Sequence, residues 1–294
     1  HAVKTKDVSL DIRLNGSHYK NSIVELPMDG ESGNRMDFYQ YTSRFTWVKG
    51  GSIYDFYIPT YKGVDPETGY ALYKTLNAVD AAGNVLQENV TDVELYKKNH
   101  KSEQYSLVEG TPTSDWTKAA SDFVGKSATP KLTGGFGFDL RVKDFSLSTT
   151  FTYSLGGYAY DYVYARLMGD GELGTHNWHK DMENRWSKAG DVTDVPALTN
   201  GTKFGKYANA RSTRFLTKRN YLQLSNIRLA YNFPESLTSR LGGMHGAQIY
   251  ATGENLFLLS ARKGFMPGTT SDGMTSDTQY LPSSSFTVGL KFNF

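Results

Sequence analysis

The sequence predicts an all-β protein, an antiparallel transmembrane β-barrel, on three observations. Apolar and polar residues alternate strictly through several long segments, Tyr, Phe and Gly are abundant, and the connections between segments alternate between short and long. The 294 residues include 20 Tyr, 16 Phe and 29 Gly, a composition suited to pleated surfaces and closely approaching strands. Mean hydropathy is -0.49, as low as in a soluble protein, yet in a barrel the inward polar residues cancel the outward apolar ones. No apolar run approaches the roughly 18 residues of a membrane-spanning helix. A net charge of +2 removes the electrostatic case for nucleic-acid binding. The absence of cysteine excludes a disulfide-stapled fold.

The first strand is expected near 5–19, where Val8, Leu10, Ile12 and Leu14 share one face and Ser9, Asp11, Arg13 and Asn15 the other. That is the period of two of a strand between unlike surroundings. Further strands are expected near 38–48 and 52–61. A hairpin follows over 131–143 and 145–157: Phe136, Phe138, Leu140 and Val142 alternate with Gly137, Asp139, Arg141 and Lys143, and after a tight turn Leu147, Thr149, Phe151 and Tyr153 continue the pattern. Over 221–233, Leu222 and Leu224 share a phase while Ile227, Leu229, Tyr231 and Phe233 share the opposite one, so a bulge is expected at Ser225 and Asn226. Strands near 247–259 and 285–294 complete about eight, the last with Phe286, Val288, Leu290, Phe292 and Phe294 on one face.

A soluble sandwich would alternate too. Against it stand the strand lengths, near the roughly 9–11 residues of a tilted membrane strand, the clustering of Tyr and Phe at strand ends, and the sorting of the connections. Those at 49–51, 143–144 and 234–246 are short, and those near 20–37, 62–130, 158–220 and 260–284 are long. All short ones then fall at one end, as in membrane barrels with periplasmic turns and long extracellular loops.

Several segments resemble, in order, the C-terminal part of the barrel of SusC/RagA-type TonB-dependent transporters of the Bacteroidetes outer membrane. They are YKGVDPETGYALYK (61–74), ATPKLTGGFGFDLRVKDFSLSTTFTYSLGG, HKDMENRWSKAGDVTDVPALT, STRFLTKRNYLQLSNIRLAYNFP, ATGENLFLLSARKGFMPG and FTVGLKFNF. Residues 75–130 and 197–211 stay unmatched. The family's signal peptide, TonB box and plug domain have no counterpart in this sequence, and its barrels have about 22 strands. The resemblance therefore implies a C-terminal portion, about eight strands of a larger plugged barrel, completed by an N-terminal barrel and plug polypeptide. It implies an outer-membrane active importer of glycan fragments or oligopeptides, capped by a SusD-like surface lipoprotein and driven by TonB. This chain would supply lipid-facing wall and outer loops. The alternative is a self-contained eight-stranded barrel acting as anchor or adhesin.

Asp11, Arg13, Asp139, Arg141 and Lys291 share the polar face and are expected to meet the lumen or the plug; the blander reading is a salt-bridge network filling a small barrel. Trp116, Trp178 and Trp186, with Tyr158 and Tyr160, lie in the long connections and are the candidates for substrate contact, against a simpler role in loop packing. His176 and His179 are spaced for a metal on a helix but lack a third ligand. Gly169 to Glu172, and Asp65 with Glu67, could offer oxygens to calcium but lack a spaced ligand ladder, so turns are expected. No metal, cofactor or catalytic set is predicted, and no enzyme.

Overall fold

The computed structural model describes residues 1–294 except 170–176, 200–203, 240–243, 269, 277 and 279. Its main feature is a seven-stranded sheet of β1 (Val3–Lys4), β2 (Val8–Ser17), β3 (Leu132–Val142), β4 (Phe145–Leu155), β5 (Tyr221–Phe233), β6 (Gly246–Leu259) and β7 (Ser285–Asn293), hydrogen-bonded in that order. Every pair is antiparallel.

Register turns the alternation into two unlike faces. On one, Leu14, Phe136, Phe151, Leu224 and Phe257 form a row across five strands, and Leu10, Leu140, Leu147, Leu229, Ala251 and Val288 a second across six. Phe136 and Phe151 stack at 4.7 Å. This face is bare: Leu14 is 75% exposed, Phe286 78% and Val288 74%. An apolar surface of that extent is not left to water.

The opposite face is polar. Asp11 sits directly across from Asp139, a repulsive pair offset by Arg13 Nε at 3.1 Å from Asp139 and by His1 against Asp11. Ser148 donates to Asp139 at 2.5 Å, and Arg228 donates to Gln248 at 2.9 Å. Two glycines make room here. A Cβ at Gly137 would strike the Thr149 carbonyl, and one at Gly289 the ring of Tyr250, which carries the Arg228 guanidinium at 4.5 Å.

The expected bulge lies at Ser225: Leu224 and Asn226 pair with consecutive residues of β4, so Ser225 has no counterpart. Its hydroxyl meets that of Thr152 at 3.0 Å. Lys143, at φ 51, turns the chain between β3 and β4. The turn is tied to both sides, Lys143 N donating to Asp7 O at 2.7 Å and Asn232 N to Asp144 O at 2.9 Å.

Two expected wall strands are elsewhere. Residues 38–48 form a small hairpin, Phe38–Gln40 with Thr46–Val48, and Asp55–Pro59 pairs with Ser121–Ser127. The reason is visible in Phe56, Tyr57 and Ile58, consecutive and exposed by 0, 5 and 0%. A strand buried on both faces belongs to a core, not to a wall with one wet side. Among the described residues the wall is thus seven strands, one of them two residues long, where about eight were expected, and the loops expected at 20–37 and 62–130 are parts of one connection, 18–131. Of the short connections expected at one end, 49–51 lies instead within the long connection 18–131, because the segments it joins are not wall strands. Those of the wall itself, 5–7, 143–144 and 234–245, are short and lie at one end, while 18–131, 156–220 and 260–284 are long and lie at the other.

The long connections fold into a layer of their own, with helices α1 (Val93–Asn99) and α2 (Tyr162–Leu167). Its main core packs Phe45, Phe56, Ile58, Tyr160, Met168, Met182 and Phe215. Among the described residues the three buried apolar clusters lie in the loops, and the buried apolar side chains of the wall sheet are Leu224 and Ala230.

The wall is open, with β1 and β7 at opposite edges. A thiol crosslink tests this order. Gln248 and Lys291 face each other in register, so cysteines there should join readily through a short bifunctional reagent. Asp11 and Lys291 are five strand spacings apart, about 24 Å along the sheet, and cysteines there should not join within one chain. An efficient intrachain Asp11–Lys291 product would instead close the sheet into a small barrel.

Candidate functional site

The loop layer holds most of the aromatic candidates. Asp161 caps α2, accepting from Tyr164 N and from Thr275 Oγ1, both at 3.0 Å, and pairs with Arg262 at 3.2 Å. Arg262 lies over the Tyr164 ring at 3.6 Å. The Tyr164 hydroxyl donates to Asp181 at 2.7 Å. Burial and that carboxylate push its pKa up to about 12. Beside this network a cleft of about 370 Å³ opens between α2 and residues 262–266, 275–276 and 281, walled by Leu167, Phe265, Met266 and Leu281. Its size is that of a small ligand site.

The candidates chosen from sequence divide between packing and partial exposure. Tyr160 is 2% exposed in the main core, so its ring meets protein rather than ligand; burial raises its pKa against the pull of Arg44 and Arg211. Tyr158 is half-buried under Lys126 at 4.8 Å. Trp178 packs against the same core. Trp186 donates from Nε1 to Pro66 O at 2.9 Å. Trp116 donates to Arg211 O at 3.0 Å, with the Arg211 guanidinium 5.3 Å from its ring. These three indoles and Tyr158 are partly exposed, and their hydrogen bonds and ring contacts fix them as parts of the layer.

Asp65 makes a turn, accepting from Glu67 N at 3.0 Å and Thr68 Oγ1 at 2.7 Å. His179 accepts from Asp181 N at 3.2 Å and stands edge-on to Tyr164. His176 and Asp170 to Glu172 lie outside the described residues. On the wall, Asp11, Arg13, Asp139, Arg141 and Lys291 fall on the polar face, joined there by Arg228, Gln248 and Tyr250.

No family model matches the sequence. Comparison with curated proteins finds TonB-dependent receptor P3 of Formosa agariphila, 25% identical over 310 residues that cover 99% of this chain and 27% of that protein. TonB-dependent receptor P39 of the same organism is 24% identical over 170 residues, covering 55% of this chain and 16% of that protein. Among solved structures the RagAB peptide transporter superposes with a TM-score of 0.72 at 25% identity, over 99% of this chain and 28% of that one. The chain is similar to TonB-dependent receptors in sequence and in fold. The RagAB importer in its 'closed-closed' and 'open-open' states matches with TM-scores of 0.71 and 0.67. The SusC/RagA resemblance read from the motifs is thus shown, as is the antiparallel barrel fold, and the coverage is consistent with a C-terminal part of the barrel. The chain spans about a quarter of the length of the first relative, 27%.

Arg44 and Arg211 were not among the sequence candidates. The signal for them was faint: Arg44 stands between Ser43 and Phe45 in YTSRFTW, and Arg211 between Ala210 and Ser212 in NARSTRF.

Proposed function

We propose that this chain forms part of the wall and outer loops of a TonB-dependent importer of the bacterial outer membrane. The observation that carries this reading is the wall sheet, bare and apolar on one face and charged on the other, with all short connections at one end. Only a bilayer outside and water inside suit both faces. Asp11, Arg13, Asp139, Arg141 and Lys291 then meet the lumen or the plug, and the connections 18–131, 156–220 and 260–284 lie outside the cell. The imported nutrients are glycan fragments or oligopeptides, captured with a SusD-like surface lipoprotein, and TonB drives uptake through the plug of the whole protein. The role is transport, not catalysis. The open edges at β1 and β7 support this over an eight-stranded anchor, because an unpaired strand edge in lipid costs several kcal/mol per backbone group; further strands of the same wall must cover them.

Cells carrying the full-length protein should deplete a glycan fragment or oligopeptide from the medium only while TonB is present. Equal depletion without TonB overturns the reading. Sidedness has its own test. A tag inserted at Val192, which is 97% exposed, should be labelled on intact cells, and one in the Lys143–Asp144 turn should not. The reverse pattern would invert the topology.

A further inference from the structure

The cleft beside α2 has apolar walls and one spare charge. Val163 and Leu167 are four residues apart on α2 and so share a face, which lines the cleft together with Phe265, Met266 and Leu281. Ala165 of the same helix belongs to the main core, whereas Val163 and Leu167 are only half-buried and Leu281 is 51% exposed. The charged groups on the lining differ in how they are met. Asp161 is buried and engaged by the α2 cap, by Thr275 and by Arg262. Arg262 is held by Asp161, by Thr217 Oγ1 at 2.9 Å and by the Tyr164 face. Lys263 also lines the cleft, is exposed and, among the described residues, has no ion-pair partner. Asp161 and Arg262 therefore cancel, and the Lys263 ammonium is left over.

We propose that this cleft is a subsite for the C-terminal residue of an imported oligopeptide, an apolar side chain entering between α2 and Leu281 while its carboxylate meets Lys263. The proposal rests on the importer reading and narrows its cargo. A leucine or phenylalanine side chain gives up no hydrogen bond on leaving water and gains from burial, here against Val163, Leu167 and Leu281. A pyranose ring fares worse. The Tyr164 face is covered by Arg262 at 3.6 Å and Phe265 is 3% exposed, so neither presents an open ring for stacking. Hydroxyls set against aliphatic walls would lose water without gaining a partner. A peptide carries an apolar side chain and a carboxylate on one residue only at its C-terminus, and that is the pairing the lining matches. A volume of about 370 Å³ is at the lower end for ligand sites, suited to one end of an oligomer rather than its whole length.

The test uses the full-length protein in detergent and a pentapeptide of four glycines with a C-terminal leucine, compared with its C-terminal amide and with the version ending in serine. The free acid ending in leucine should bind about tenfold tighter or more than either, because burying a leucine and making a charge-assisted hydrogen bond are each worth at least that factor. Lys263→Gln should abolish the preference for acid over amide and keep that for leucine over serine. Leu281→Ser should do the reverse. Both residues are exposed, so neither change threatens folding, and mobility in unboiled gels checks it. Lys97→Gln on α1 should keep both preferences. Equal binding of the three peptides overturns the proposal, as do preferences that survive Lys263→Gln and Leu281→Ser. Decanoate bound as tightly as the leucine peptide would make the cleft an acyl-chain site and also overturns it. TonB-dependent uptake of the serine-ended peptide or of a glycan fragment, followed in parallel, separates these failures from failure of the importer reading.

Discussion

Leu290→Arg is expected to destabilise the barrel wall by about 1–2 kcal/mol, because a cation on the lipid face costs about 2–4 kcal/mol at the midplane and about 0–1 at the interface and the Leu290 row ends at Phe145 beside the short turn, while Lys291→Ala changes little. The two residues are adjacent in β7, so strand propensity and depth are nearly the same for both. What differs is the face. Leu290 pairs with Ile249, which pairs with Tyr231 and then Phe145, a row of apolar side chains running away from the edge. It is 60% exposed, so it fills no protein core that arginine could disrupt. In water, such a substitution on an exposed strand would be close to neutral. A loss of that size therefore reports the bilayer. Lys291 faces Gln248 on the polar side, where alanine leaves no buried group unpaired. The readout is the fraction of full-length protein in the outer membrane that keeps its fast, folded mobility without boiling. Equal tolerance of the two changes would mean that the assignment of faces is wrong.

The same contrast explains what could be read from sequence. Strands between lipid and water carry a strict period of two, and every segment whose alternation was traced residue by residue became wall, with even the slip at Ser225 legible as a bulge. Residues 55–59 carry no such period, because the loop layer surrounds Phe56 and Ile58 on both sides. A short apolar run does not reveal which core it enters. The run from Tyr158 to Tyr164 looks like a strand of tyrosines, but Asp161 caps a helix in its middle and splits it into Tyr158–Tyr160 and α2. That break sends Tyr160 inward and leaves Tyr158 half-buried. The aromatic candidates could be named from residue type alone. The four carbonyls that hold Arg219 could not, since they come from the segments ahead of β3 and β7 and meet only through the fold.

Arg219→Ala should loosen the last long connection while leaving the wall intact. Arg219 is 5% exposed. Its Nη1 donates to Ala128 O at 2.6 Å and Ser271 O at 3.1 Å, and its Nη2 to Pro267 O at 2.9 Å and Thr270 O at 2.7 Å. Its backbone N donates to Gly157 O at 3.2 Å. One side chain thus ties the segment entering β3 to the loop before β7, from a position just ahead of β5. Desolvation lowers its pKa, yet the guanidinium stays charged, and four carbonyl dipoles replace the water it lost. Removing it leaves four carbonyls to find new donors, at about 1–3 kcal/mol for each that stays buried and unpaired. Water entering the gap limits the total, so a local loss of about 2–4 kcal/mol is expected. Lysine offers three donors from one point instead of a flat fork, so Arg219→Lys should recover only part. Trypsin cleavage at Arg262 and Lys263 provides the readout. It should accelerate at least tenfold in Arg219→Ala, since 1.4 kcal/mol already gives that factor, with unboiled gel mobility unchanged. Cleavage no faster than in the parent would show that the loop is held by its other contacts, the Asp161–Arg262 pair first among them.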